Sequence, residues 1–141
     1  MANFPMQMEY PAEFLRGWPV DNGLELDYPI ASGQNLSAGM TVVTNGSKEV
    51  IATTGAVPTG FGIVVRGNVD DKSVANARKA IVLWGHYIVK LSKALCVGGV
   101  TTGIAVGERV GADAAGLWSE QATGEGLVLE IDPDYIIVSV K

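Results

Sequence analysis

The sequence predicts an all-β fold, either a small β-barrel or a β-sandwich, with an imperfect internal repeat and an extended N-terminal arm. From Ile30 onward, short runs of Val, Ile and Thr alternate with Gly and Asn at intervals of about eight to twelve residues, a spacing typical of sandwiches and barrels. The pair Asn45-Gly46 separates two such runs, and this dipeptide favours a tight hairpin because its turn requires positive φ angles. Residues 30–141 are therefore predicted to form a single β-rich domain.

Eight segments are predicted to be strands because each is short, rich in β-branched residues and bounded by turn residues. They are residues 41–44, 49–53, 62–66, 81–84, 87–91, 109–112, 127–131 and 135–140. Residues 70–80 have a different pattern, since Asp70 or Asp71 can cap a helical turn or two over residues 73–79. A loop is the competing interpretation of that segment.

The two halves of the chain share one order of turns and strands. Residues 38–65 contain an Ala-Gly turn, a strand, a Gly turn, a second strand, a small-residue linker and an apolar strand, and residues 106–130 repeat this order. Each half then ends in a further strand. A repeated unit of this kind suggests that each half supplies part of the wall of a barrel or sandwich.

Residues 1–29 are predicted to be an extended arm. They hold four of the six prolines, interleaved with Phe4, Tyr10, Phe14, Trp18 and Tyr28. Proline fixes φ and lacks a donor, so this stretch is neither a long helix nor a central strand. Its aromatic side chains need a surface to cover, either on the same domain or on a neighbouring subunit.

Composition excludes several classes of protein. Hydrophobic residues make up 48% of the chain and charged residues 18%, which is too apolar for intrinsic disorder, yet no apolar run approaches a membrane span. The start shows no basic segment followed by an apolar one, so we expect no Sec-type export. Cys96 is the sole cysteine, and stability must therefore come from packing rather than from a disulfide.

The charge balance argues against nucleic-acid binding. A formal net charge of −5 is unsuited to phosphate contacts, which need clustered Lys and Arg. Residues 1–30 carry five acids and one arginine, residues 66–93 six bases and two acids, and residues 108–134 seven acids and one arginine. These blocks are either solvated loops or complementary faces that meet between subunits or against a partner.

No enzyme signature emerges. His86 is the sole histidine, so a His-rich metal site is excluded and no motif supplies a nucleophile beside it. Cys96 has apolar neighbours and is expected to be an inert core thiol. The glycines of residues 98–103 lack a phosphate-loop ending, and residues 132–134 fit an Asp-Pro turn better than a cation site. We therefore expect no catalytic residues, no cofactor and no metal.

The order of these elements resembles the small capsid decoration proteins, also called cement or head-stabilising proteins, of tailed bacteriophages. The resemblance covers residues 30–141, and the segments that carry it are residues 38–43, 48–53, 60–65, 106–110 and 113–116. It lies in their sequence order, because glycine turns and valine strands occur in any small β domain. The arm of residues 1–29 falls outside the matched pattern.

The resemblance implies a structural virion protein, made in the host cytoplasm, that binds the outside of the mature capsid and stabilises it by bridging capsomers. It implies the major capsid protein as a partner and a homotrimer as the assembly, with no membrane or nucleic acid bound. Composition adds candidate capsid or inter-subunit contacts, the five arm aromatics and four basic residues: Phe4, Tyr10, Phe14, Trp18, Tyr28, Arg66, Lys72, Arg78 and Lys79. The alternative is a carbohydrate- or receptor-binding module of a virion fibre, which would use Trp84, Trp118 or Tyr87 as an aromatic platform.

Overall fold

The computed structural model describes residues 12–16, 24–71 and 77–140. These residues form eleven strands in two antiparallel sheets, joined by loops and short 3-10 turns. The all-β prediction is therefore confirmed. No helix in the described part of the chain is long and apolar enough to span a membrane.

The strands follow one another along the chain with these bounds: β1 Ala12–Arg16, β2 Leu24–Pro29, β3 Thr41–Thr44, β4 Val50–Ala52, β5 Gly62–Asp71, β6 Ala77–Trp84, β7 Tyr87–Ser92, β8 Arg109–Ala112, β9 Trp118–Glu120, β10 Gly126–Asp132 and β11 Tyr135–Val140. The first sheet has the order β2-β6-β5-β3-β4, and the second sheet has the order β1-β7-β11-β10-β8-β9. The 3-10 turns are Lys93–Leu95, Val97–Gly99 and Ala114–Gly116.

The two sheets make a sandwich-like fold rather than a closed barrel. In the first sheet a single parallel bridge joins Ile30, just after β2, to Val50 in β4. In the second sheet the equivalent single bridge joins Cys96 to Trp118. Each sheet therefore curls so that β2 approaches β4 in the first sheet and β7 approaches β9 in the second, but no continuous ladder closes it.

The predicted repeat is present and is longer than the sequence indicated. Strands β2 to β6, the first unit, pair in the order first-fifth-fourth-second-third, and strands β7 to β11, the second unit, pair in the same order. Strand β1 is the additional member, paired with the outer edge of β7. The described chain is thus two tandem five-stranded units plus one edge strand.

Hydrogen bonds repeat with the topology. The amide of Gly39 donates to the carbonyl of Val64 at 2.8 Å, and the amide of Gly107 donates to that of Val128 at 2.9 Å. Both glycines have positive φ, 90° and 88°, which L-residues other than glycine rarely adopt. A β-bulge follows Val64 in β5 and Val128 in β10. Residue-by-residue equivalence between the units is therefore fixed by register, not only by sequence likeness.

Two hydrophobic clusters hold the units. The larger cluster draws on both sheets, since Ile63 and Leu83 of the first sheet pack with Val89, Val110 and Val138 of the second. The smaller cluster belongs to the first unit alone and lies on the opposite face of its sheet. Alternation along the strands explains this arrangement, because neighbouring residues such as Ile63 and Val64 point to opposite faces.

Segments β1 and β2 both fall in the region predicted as an arm. β1 is an edge strand of the second sheet and β2 an edge strand of the first, so these two stretches pair with the chain's own sheets. Edge positions suit a proline-rich stretch, and Pro29 lies at the last position of β2, where a missing donor costs little.

The predicted helix over residues 73–79 is wrong where the structure describes it, because residues 77–79 lie in β6. Residues 72–76 lie outside the described ranges. The reason is pairing: β5 and β6 extend into a long hairpin in which Asp70 opposes Arg78, and cross-strand partners outweigh a weak local helical preference. The predicted strands at 62–66 and 81–84 were correspondingly too short.

Candidate interaction surface

The groups that were considered for catalysis are not brought together. His86 is exposed in the turn between β6 and β7, and Cys96 is buried. Within the described ranges, no three His, Cys, Asp or Glu side chains cluster closely enough to hold a metal ion. Asp132 accepts a hydrogen bond from the amide of Asp134 at 3.0 Å, so the Asp-Pro-Asp segment is an Asx-type turn, as its sequence indicated.

Cys96 offers a direct check on the core. Burial raises the pKa of its thiol to about 11, so at pH 8 roughly one thiol in a thousand is the reactive thiolate. We expect labelling by a disulfide reagent at pH 8 to be slower by orders of magnitude in the folded protein than in denaturing urea. Equal rates in the two conditions would show that Cys96 lies at the surface. Because the chain has one cysteine, the signal needs no correction for other thiols.

The aromatic platform proposed for sugar binding is not exposed. Trp118 is fully buried, Tyr87 is buried at 3% exposure, and Trp84 is half-buried. Trp118 donates from Nε1 to the carbonyl of Gly39 at 2.9 Å and contacts the ring of Phe61 edge to face at 5.3 Å. Trp118 is therefore a core residue rather than part of an exposed platform.

Only some of the predicted contact residues lie in the part of the chain that the structure describes. Phe4, Tyr10, Trp18 and Lys72 lie outside the described residues, and Phe14 is placed only as a position in β1 opposite Val89. The remaining predicted contacts, Tyr28, Arg66, Arg78 and Lys79, are all in the first sheet.

Those four residues do not form one basic face. Tyr28 is half-buried and contacts Trp84 edge to face at 5.9 Å. Arg66 and Arg78 are exposed. Arg66 pairs with Ile81 across the strands, so its side chain lies on the same face of the sheet as those of Ile81 and Lys79. Arg78 precedes Lys79 in β6 and therefore points to the opposite face. The sequence pattern grouped these cations by their proximity in the chain, and the pleat of the strand separates them.

Among the residues that the structure describes, two ion pairs join the predicted charge blocks to one another. Lys79 of the basic block lies 3.0 Å from Asp27 of the first acidic block, and Lys93 lies 3.4 Å from Asp134 of the last one. Exposed pairs of this kind contribute little to stability. They do show that part of the complementary charge is used between the chain's own segments, and complementarity between subunits remains a prediction for the other residues.

The second sheet and the turn before β8 present an apolar surface that the sequence did not single out. We call it the outer face, and its members are Val106, Leu127, Leu129 and Ile137. Val106 is 63% exposed and Leu129, at the bulge of β10, is 44% exposed. Leu127 and Ile137 are half-buried. Clustered apolar side chains on the outside of a sheet are typical of a docking surface.

An ordered polar row borders the outer face. The hydroxyl of Tyr135 donates to a carboxylate oxygen of Glu130 at 2.8 Å, and the ammonium of Lys90 lies 4.3 Å from the centre of the Tyr135 ring. The hydrogen bond with Glu130 raises the pKa of Tyr135. An apolar centre with a polar rim is the usual anatomy of a protein–protein interface.

The internal repeat identifies the positions of the first unit that are equivalent to the outer face of the second. Gly62 opposes Val42 in the first unit and Gly126 opposes Val110 in the second, so Ile63 corresponds to Leu127 and, past it, Val65 to Leu129. By the same register Ile81 corresponds to Ile137 and Ala38 to Val106. In the first unit these positions are Ala38, Ile63, Val65 and Ile81, and all pack in the cluster that joins the two units. The outer face is thus the second copy of a face that is already used as an interface in the first.

Two carboxylates lie close together beside this face. Glu120 in β9 is hydrogen-bonded to Glu108, and this bond together with the charge of Glu108 raises the pKa of Glu120. Glu108 also accepts a hydrogen bond from the amide of Ala105 at 2.7 Å. Two neighbouring carboxyl groups resist ionising together.

The raised pKa of Glu120 predicts how the stability of the protein changes with pH. An acid whose pKa is higher in the folded state stabilises the fold while it is protonated, and that contribution is lost as pH rises through the raised pKa. We expect Glu120→Gln to remove this pH-dependent contribution. The free energy of unfolding of the variant should therefore decline less than that of the wild type as pH rises above the ordinary glutamate range. Urea unfolding at a series of pH values measures the difference. Identical pH profiles would mean that the two carboxyl groups do not interact.

No protein-family model matches the chain, and no curated protein matches its sequence.

Proposed function

We propose that this chain is a structural virion protein that binds the outer surface of the mature capsid of a tailed bacteriophage and stabilises it by bridging capsomers. Its partner in this proposal is the major capsid protein, and it acts as an oligomer, a homotrimer in the family that its sequence resembles. The order of turns and strands that carries the resemblance corresponds to the two tandem units of the fold.

The observation that carries the proposal is the outer face of the second unit. Val106, in the turn before β8, and Leu129, at the bulge of β10, expose apolar surface beside the paired strands of the second unit. Burying such surface against another protein releases about 25 cal/mol for each Å² removed from water. A rigid body with an interface already formed is suited to mechanical bridging, since little conformational entropy is lost on binding.

Several contacts per particle make such attachment effective. An oligomer that touches more than one capsomer gains avidity, because its second and third contacts form at high effective concentration. Arg66 and Arg78 are exposed on the first unit, whereas the outer face belongs to the second. The two arginines therefore offer additional polar contacts away from the outer face. Contacts from both units are what a bridging role requires.

The aromatic alternative receives less support. A carbohydrate-binding platform needs exposed rings, whereas Trp118 and Tyr87 are buried. We therefore do not propose a receptor-binding function from these side chains.

The test is co-sedimentation with phage heads. Purified protein is mixed with expanded heads and with unexpanded heads of the phage whose genome encodes it, and the pelleted fraction is measured. We expect saturable binding to expanded heads and much weaker binding to unexpanded heads, because a bridging site is completed only when the shell matures. Absence of binding to either form would refute the proposal.

A further inference from the structure

The contact between the two units has two sides, a turn and a surface. The turn is that between β8 and β9, and its Gly116 donates its amide to the carbonyl of Thr53 at 3.2 Å. A Cβ built on Gly116 would lie 2.8 Å from the terminal methyl of Met40, so the turn sits directly against that side chain. Trp118, just after the turn, is bound to Gly39. The surface is the part of the first unit that carries Gly39, Met40 and Thr53.

Each side of this contact has an exposed counterpart in the other unit. The counterpart of the surface is the outer face of the second unit, next to Gly107 and Glu108. The counterpart of the turn is the turn between β3 and β4 in the first unit, where Gly46, Ser47 and Lys48 are exposed. One chain therefore presents an unused copy of the turn and of the strand surface. The β4–β5 loop, which also pairs Val57 with Ala112 in the internal contact, has nine residues, and its counterpart between β9 and β10 has five.

The two turns have the same length and the same closing hydrogen bond, although Ala115 also has a positive φ, 60°, and its counterpart Ser47 does not. Five residues separate Thr44 from Val50, and five separate Ala112 from Trp118, both of which are paired ends of their hairpins. The amide of Asn45 donates to the carbonyl of Glu49 at 2.8 Å, and that of Asp113 to the carbonyl of Leu117 at 2.7 Å. Lys48 and Gly116 occupy the same position.

The backbone at that position agrees. φ is 63° at Lys48 and 71° at Gly116. Lysine at positive φ is uncommon and carries a conformational cost. The chain keeps a lysine at a position where glycine would be the ordinary choice.

The charge at the two counterparts is complementary. Where the internal contact places Gly116 against Met40, the equivalent contact between two chains would place Lys48 against Glu108. Met40 and Glu108 are equivalent because each immediately precedes the second strand of its unit, β3 or β8. Each side chain also accepts a hydrogen bond from the amide three residues earlier, Ser37 and Ala105 respectively. An ammonium group beside Glu108 would also offset the repulsion between Glu108 and Glu120.

From these equivalences we propose that copies of this chain associate head to tail: the β3–β4 turn of one copy, with Lys48 at its tip, docks on Glu108 and the outer face of the second unit of the next copy. The occupant of the outer face is thus the first unit of another copy. A head-to-tail contact closes into a ring when the rotation between successive copies divides a full turn. This inference rests on the oligomeric part of the proposed function and supplies its contact surfaces.

The test uses the full chain in solution without capsids, so that its outcome is separate from head binding. Two variants each remove one side of the contact: Leu129→Glu places a charge in the outer face, and Lys48→Glu reverses the charge of the turn. Val97→Glu is the matched control, since Val97 is 48% exposed but lies in a 3-10 turn outside both surfaces. Assembly size is measured by sedimentation velocity, and thermal melting checks that each variant is folded.

We expect the wild type and Val97→Glu to assemble at micromolar concentration, and the other two variants to associate roughly tenfold or more weakly. An equimolar mixture of Leu129→Glu and Lys48→Glu should form a dimer and nothing larger, because one intact turn and one intact outer face remain for a single junction. If Leu129→Glu fails to fold, Val106→Asp replaces it, since that side chain is 63% exposed.

Three results would overturn the inference: a monomeric wild type, assembly of either variant like the wild type, or a mixture that stays monomeric, which indicates a symmetric face-to-face contact instead. A wild type that is monomeric yet binds expanded heads would remove this inference and the oligomeric part of the proposed function, and would leave capsid binding standing. A wild type that assembles as expected yet ignores heads would do the reverse.

Discussion

Replacing Trp118 with alanine is expected to lower the free energy of unfolding by about 3–5 kcal/mol, the cost typical of removing a fully buried large aromatic side chain. The side chain is fully buried and contacts Phe61 across the junction of the two units. Its Nε1 group also donates to the carbonyl of Gly39, and an acceptor left unpaired in the core costs about a further 1 kcal/mol or more. The loss therefore affects the association of the units as well as the second unit itself.

Urea denaturation followed by fluorescence or circular dichroism measures the effect of this change. Trp118→Phe is the matched variant, because it keeps an aromatic ring in the cavity and loses the N–H donor, and we expect it to cost about 1–2 kcal/mol. A Trp118→Ala variant within about 1 kcal/mol of the wild type would contradict the assignment of this residue to the junction core.

Replacing Gly124 with alanine is expected to cost about 2 kcal/mol or more, because the added methyl group would overlap the backbone carbonyl of Val110. Backbone atoms cannot rotate aside as a side chain can. Gly124 precedes β10, and Val110 belongs to β8, which pairs with β10. The overlap would therefore push apart two neighbouring strands of the second unit.

Gly55→Ala is the control for this prediction. A Cβ on Gly55 meets nothing within 4 Å, and Gly55 is not among the glycines with positive φ. We expect it to be neutral or stabilising by about 0.4–1 kcal/mol, since alanine restricts the unfolded chain. Equal melting temperatures for Gly124→Ala and the wild type would show that the strands approach each other less closely than the structure indicates.

The parts of the fold that the sequence predicted well have strong local signals. The bounds predicted for β3, β8 and β11 match the structure. β3 and β11 are runs rich in β-branched residues, and turn residues mark the ends of all three strands. The repeat was also visible, since its glycine turns recur in order. Strand β9 was missed because three residues, Trp118–Glu120, give too little alternation to separate a strand from a loop.

The outer face was harder to predict because strand β10 has apolar residues on both of its faces. Val128 points into the core while Leu127 points outward, and such a run is also typical of a strand buried on both sides. The strand register aligns Leu127 with Ile63, which is buried in the first unit. Only this alignment shows that the outer face of the second unit is equivalent to a buried face of the first. A repeat in sequence therefore predicts equivalent positions, but their burial depends on how the units pack.

The sequence likewise showed where charges are grouped along the chain but not which of them share a face of the sheet. The basic block of residues 66–93 was visible in the sequence, but strand alternation sends Arg78 and Lys79 to opposite faces. Lys48, which lies outside that block, is the cation that the repeat singles out. Its positive φ and its equivalence to Gly116 are properties of the folded turn, so no count of charges along the chain identifies it.

We propose that this protein strengthens a phage capsid, and the temperature at which expanded heads release their DNA, with and without the protein, measures that effect. Heads that lack any decoration protein are incubated with the purified chain, freed of unbound protein and heated while DNA release is followed with a dye. We expect release to move to a higher temperature in proportion to occupancy, and Val97→Glu, the control with an intact outer face, to give the same shift. Release at an unchanged temperature from fully occupied heads would refute the proposed stabilisation of the capsid.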